Sequence, residues 1–181
     1  MTRSTTTYMT ETGFENLKAL LIRKKQEYAD VRDHRQVAFE MSGDGWHDNP
    51  EFNRQQQIEA SLNHTVKALT KRLQCARPVT IDCNNRPTTH VAIGSLVNIT
   101  RWNLNNCADN KGINETWEIV GFDETDIKAA RIGYNAPLAK AIIGLQAGEI
   151  SEELRLGRQS WEVEVTSLLS GARLSAQDIC Q

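Results

Sequence analysis

Two aspartates, Asp44 and Asp48, stand four residues apart in the run Gly43-Asp44-Gly45-Trp46-His47-Asp48-Asn49-Pro50-Glu51-Phe52, with a third acid at Glu51. Carboxylates gathered on a short turn suit work on a divalent cation. Two of them alone hold Mg²⁺ weakly, because the ion takes six oxygens and gives up water reluctantly, so a partner must supply the remaining ligands. An architectural reading competes for two of the acids. Asp48 and Glu51 precede or open a helix, where negative charge gains about 0.3–1 kcal/mol from the helix dipole. Asp44 instead follows the C-terminal end of a helix, the pole that disfavours an anion.

The elements that position this turn are two heptad-patterned segments. Phe14, Leu17, Leu21, Tyr28, Val31 and Ala38 step by three and four, with Lys24 and Arg35 as polar interruptions of the same stripe. Phe52, Leu62, Val66, Leu69, Leu73 and Ala76 resume the spacing, and Pro78 is expected to stop the second helix. So short a connection makes the helices antiparallel. Arms of about 30 residues project on the order of 45 Å. Taken alone, such a hairpin reads as a dimerisation arm or a spacer.

Turn chemistry predicts how the tip closes. Gly43 takes the left-handed conformation that ends a helix, and Gly45 gives a second permissive position. Pro50 disfavours helical backbone at Asn49, making Asn49 the N-cap, Pro50 the first helical residue and Glu51 a first-turn acid. Asp44 and Asp48 are then expected in a non-helical bend.

Beyond Pro78 the periodicity changes. Val79 to His90 is polar and reads as a linker. Leu96, Ile99 and Trp102, then Trp117, Ile119 and Val120, then Trp161, Val163 and Val165 read as strands of a mixed sheet, with a turn-rich loop over Asn105 to Asn114. Asn135 is expected to cap a short helix through Ile143 that Gly144 ends.

Composition sets bounds rather than a function. The 181 residues carry 21 basic and 23 acidic side chains, for a net charge of −2, with no field to attract free nucleic acid. Residues 1–77 hold 12 basic and 10 acidic groups and the remainder 9 and 13, too small an asymmetry to imply DNA binding. Cys75, Cys83, Cys107 and Cys180 lack Cys-x-x-Cys spacing, which argues against zinc and for reduced thiols. Met1 to Met9 has no apolar run of a signal peptide, and no stretch is apolar enough to span a bilayer. A cytoplasmic, monomeric protein without membrane contact is expected.

The tip resembles that of the bacterial GreA and GreB transcript cleavage factors, which reads approximately Gly-Asp-Leu-x-Glu-Asn-Ala-Glu-Tyr. Gly43, Asp44, Asn49 and Glu51 match directly; Asp48 stands for Glu, Pro50 for Ala and Phe52 for Tyr. One extra residue lies within Gly45-Trp46-His47. Ile93 to Val97, Trp117 to Gly121 followed by Asp123 to Asp126, and Asn135 to Gly144 resemble the strands and short helix of the Gre C-terminal domain, so the likeness runs from about Tyr8 to Leu168. It implies an α+β fold: an N-terminal antiparallel α-helical coiled-coil hairpin, then a C-terminal FKBP-like mixed β-sheet domain with a short helix. The implied divisions are 1–78 for the hairpin with its acidic tip at 43–52, 79–95 for linker and first strand, 96–169 for the polymerase-docking domain, and 170–181 for a tail. Proline isomerase activity, known on similar folds, is disfavoured because the domain is poor in the aromatics that line such a pocket.

The resemblance further implies a non-enzyme that activates the nuclease of bacterial RNA polymerase. The hairpin would enter the secondary channel of a backtracked complex, where Asp44 and Asp48 help hold a Mg²⁺ ion shared with the polymerase near the RNA 3′ end. Gly43, Asn49 and Glu51 would position the tip; Asn135 and Pro137 would dock the second domain, though a capped helix start explains them equally well. Two features depart from the family: Glu40 and Gln56 stand where basic residues often guide RNA, leaving Arg35 and Arg54 as nearby substitutes, and Trp46 and His47 are foreign to the tip. A Gre-like binder that modulates polymerase without stimulating cleavage therefore stays open, as does an unrelated coiled-coil adaptor.

Overall fold

The computed structural model describes residues 6–105 and 111–171. The tail after Gly171, residues 106–110 with Cys107, and residues 1–5 lie outside the described residues, as does the His47 side chain. Contacts divide the chain into two units, Glu11–Arg77 forming the first and Pro78 onward, with Tyr8–Thr10, the second. The fold is α+β.

The first unit is the hairpin of α1 (Glu11–Ser42) and α2 (Pro50–Cys75). Their 32 and 26 residues correspond to about 48 and 39 Å. Every residue of the expected α1 stripe is buried or half-buried, with Leu17, Leu21 and Ala38 the most enclosed. The polar interruptions are accommodated at the seam: the Arg35 guanidinium pairs with Glu59 of α2 at 2.9 Å, and Tyr28 Oη donates to the same carboxylate at 3.5 Å. Helix α2 ends three residues before Pro78, and Ala76–Val79 continues as strand β2, the partner of β1 (Thr7–Thr10) in a two-stranded sheet. Neither short strand is visible in the heptad pattern, because an apolar seam position such as Ala76 serves a strand equally well.

The second unit is a five-stranded sheet in the order β5-β4-β3-β7-β6. Its strands are β3 (Leu96–Asn103), β4 (Ile113–Val120), β5 (Arg131–Gly133), β6 (Leu154–Leu156) and β7 (Gln159–Leu169). Neighbours are antiparallel except β4 and β5, so the sheet is mixed. A register shift between Asn98 and Ile99 interrupts the β3–β7 pairing. Helix α3 (Pro137–Ile142) packs Leu138, Ala139 and Ile142 onto Val97, Ile99, Ile119, Val163 and Val165 to form the core.

The segment expected as linker and first strand holds no strand between residues 80 and 95. It is bound to the core: Val91 is fully buried, and Arg86, only 6% exposed, donates to the carbonyls of Gly94 and Gly171 and pairs with Glu118 at 2.9 Å. Polar composition suggested a linker, but this arginine is internal because each of its charged nitrogens finds an acceptor.

Candidate functional site

The tip is built from both helix ends inward. At the end of α1, Ser42 Oγ donates back to the Ala38 carbonyl at 2.6 Å, and Gly43 follows with φ +53°, the left-handed position expected of it. The chain then forms a 3₁₀ helix over Gly43–Asp48, where a non-helical bend was expected. Tight i→i+3 bonding explains the difference, since it satisfies carbonyls at a helix end while the backbone reverses. Gly45 has no positive φ and open space around its Cα, so the second permissive position is not used.

Asn49 closes the turn with both ends of its amide. Its Oδ1 accepts from the backbone N–H groups of Glu51 at 2.9 Å and Phe52 at 3.4 Å, the N-cap of α2. Its Nδ2 donates across the hairpin to the Ala38 carbonyl at 3.2 Å and to Ser42 Oγ. One side chain thus ties the end of α1 to the start of α2. Pro50 occupies the first turn, and Glu51 accepts from Gln55 Nε2 at 2.6 Å. Trp46 wedges into the turn with its ring centroid 5.0 Å from Phe52 and 5.9 Å from Phe39. Ser42 is the structural residue that sequence reasoning assigned no part; the four-residue step from Ala38 to Ser42 at a helix end was the available signal.

On this tied frame Asp44 and Asp48 are exposed, and neither carboxylate has a partner among the described residues. Four residues of regular 3₁₀ helix separate them by about 8 Å along the axis and about 120° around it. They are therefore two outward donors rather than a closed site. No group of three or more metal-ligating side chains occurs among the described residues. The pair fits Mg²⁺ only as part of a shared ligand set, with water or another molecule completing the shell.

Residues 86–169 match the family described as Transcription elongation factor, GreA/GreB, C-term. Transcription elongation factor GreA of Legionella pneumophila (strain Lens) is 30% identical over 167 residues, covering 86% of this chain and 92% of the relative. The chain belongs to the GreA/GreB family. The GreA of Nautilia profundicola is 28% identical over 178 residues, covering 95% of this chain and 96% of that one. Among solved structures, GreA factor homolog 1 of Thermus thermophilus aligns with 91% of this chain and 99% of its own at 18% identity and a TM-score of 0.39; the assignment rests on the sequence relatives.

Within this GreA/GreB member, the substitutes for the missing basic residues are not equivalent. Arg35 is held between Glu59 and the Phe52 ring, its guanidinium 5.9 Å from the ring centroid. Arg54 is more exposed, with only a 3.7 Å approach to Glu51. Glu40 accepts from Gln36 within its own helix, and Gln56 is exposed. In the second unit Asn135 does not cap α3, whose N-cap is Ala136 without a side-chain bond. Asn135 Oδ1 instead accepts from the Asp123 N–H at 2.9 Å, holding a residue with φ +62°. Pro137 is exposed at the first position of α3, which ends at Ile142, and Gly144 follows with φ +89°.

Proposed function

We propose that this protein inserts its hairpin into the secondary channel of bacterial RNA polymerase and stimulates Mg²⁺-dependent cleavage of backtracked RNA. The observation that carries this reading is the contrast among the tip acids. Glu51 is engaged with its own helix, whereas Asp44 and Asp48 have no partner among the described residues, on a turn that Asn49, Ser42 and Trp46 hold fixed. A fixed turn presents both carboxylates without reorganisation when a partner site is met.

The chain is then an activator of the polymerase's own nuclease rather than an enzyme. Asp44 and Asp48 would share with the polymerase in holding a Mg²⁺ ion, which would supply an activated water and charge neutralisation at the scissile phosphodiester. Asp44 and Asp48 supply oxygen donors, Gly43 and Asn49 set the backbone from which they project, and Glu51 supports the first turn of α2. Exposed Pro137, at the start of α3 beside the turn that Asn135 shapes through Asp123, is the docking contact of the second unit.

The test is release of labelled 3′ fragments from halted, backtracked elongation complexes. Wild type should release them in Mg²⁺, and Asp44→Ala and Asp48→Ala should each slow release by roughly a hundredfold or more while still competing for the polymerase. Binding without fragment release by the wild type rejects cleavage and leaves a secondary-channel modulator. That alternative draws on the commitment of Arg35 to Glu59, which leaves few cations to guide RNA.

A further inference from the structure

A groove of 560 Å³ runs beside the tip, with His34, Val37 and Met41 of α1 on one wall and Asn49, Glu51 and Gln55 on the other. Its apolar wall is open: Met41 is 84% exposed and Val37 51%. An apolar pair at i and i+4 facing water on an otherwise polar helix face marks an interaction surface. Residues 36–53 contain Glu40, Asp44, Asp48 and Glu51 and no lysine or arginine. The nearest cations inward are Arg35, turned to Glu59, and Arg54, which lies 3.7 Å from Glu51 and leaves Glu40, Asp44 and Asp48 without a neutralising arginine or lysine among the described residues. Across a tip of this size the four carboxylates act within about one Debye length of each other, so the groove repels phosphate and attracts cationic side chains.

We propose that this groove docks a polypeptide segment of the polymerase that presents a lysine or arginine beside an apolar side chain. The apolar residue lies on Met41 and Val37, and the cation faces the acidic end of the tip. The contact would seat the turn independently of RNA. It rests on the hairpin entering the polymerase, as proposed above.

The experiment is competition of full-length variants with labelled wild type for core polymerase lacking nucleic acid, alongside thermal melting and sedimentation. Val37→Ser/Met41→Ser, at exposed positions, should melt as the wild type does and bind about tenfold more weakly or worse. Glu40→Lys should also weaken binding. Unchanged affinity of the double variant overturns the proposal. A loss seen only on backtracked complexes with extruded RNA, or tighter binding by Glu40→Lys, assigns the groove to RNA and overturns it. A wild-type dimer that the double variant dissolves assigns it to a second copy, with the same consequence. Failure of the wild type to bind polymerase at all removes the parent reading and this one with it.

Discussion

Asn49 does two jobs that single substitutions can separate. Asn49→Asp keeps the oxygen that caps α2 and loses the Nδ2 donor to Ala38 and Ser42. The variant should melt close to wild type yet show an altered Trp46 emission spectrum and reduced fragment release, as the turn loosens around the indole. Asn49→Ala removes both functions and should cost about 0.5–2 kcal/mol in denaturant unfolding from the cap alone. The two tip glycines should differ as well. Gly43→Ala forces a side chain into the left-handed region at a cost of about 1–2 kcal/mol, whereas Gly45→Ala should be silent in stability because its backbone is ordinary and its surroundings open. The cap at Asn49 and the φ of Gly43 were legible in the sequence, since each follows from local sterics. The 3₁₀ turn and the reach of Nδ2 to Ala38 were not, because they depend on how closely α1 returns to α2.

Among the elements, the periodic ones were the readable ones. The α1 stripe from Phe14 to Ala38 and the strands around Ile99, Ile119 and Val163 follow from apolar spacing, and all three strands lie in one sheet. Strands β5 and β6 have three residues each, too short for alternation to register, and they hold the sheet edges. Asn135 misled for a related reason: an asparagine two residues before Pro137 looks like a cap, but the Asp123 N–H, twelve residues upstream, claims its oxygen. The segment before β3 was read as a linker because sequence cannot show that Glu118, also paired with Arg131 at 3.2 Å, lies against Arg86. Arg86→Ala leaves that half-buried carboxylate with Arg131 alone. It should destabilise the second unit by about 1–3 kcal/mol in urea unfolding, because the carbonyls of Gly94 and Gly171 also lose their donor, with no change in the far-ultraviolet signal of the hairpin.

At the scale of the whole molecule, charge and family agree on where function lies. A net charge of −2 and a cation-free tip give no general affinity for nucleic acid, so binding to free single-stranded RNA at physiological salt should be undetectable by anisotropy. No helix among the described residues is long and apolar enough to cross a membrane. On the proposed reading, a GreA/GreB chain whose two tip carboxylates have no partner among the described residues would act only within the polymerase, which would supply the remaining ligands. The most direct test of that claim is the Mg²⁺ dependence of fragment release from backtracked complexes at saturating protein. If Asp44 and Asp48 contribute ligands to a shared ion, Asp44→Asn and Asp48→Asn should each raise the Mg²⁺ concentration for half-maximal release by about tenfold or more, with every variant held at its own saturating concentration. Release with the same Mg²⁺ dependence in wild type and both variants would contradict the account.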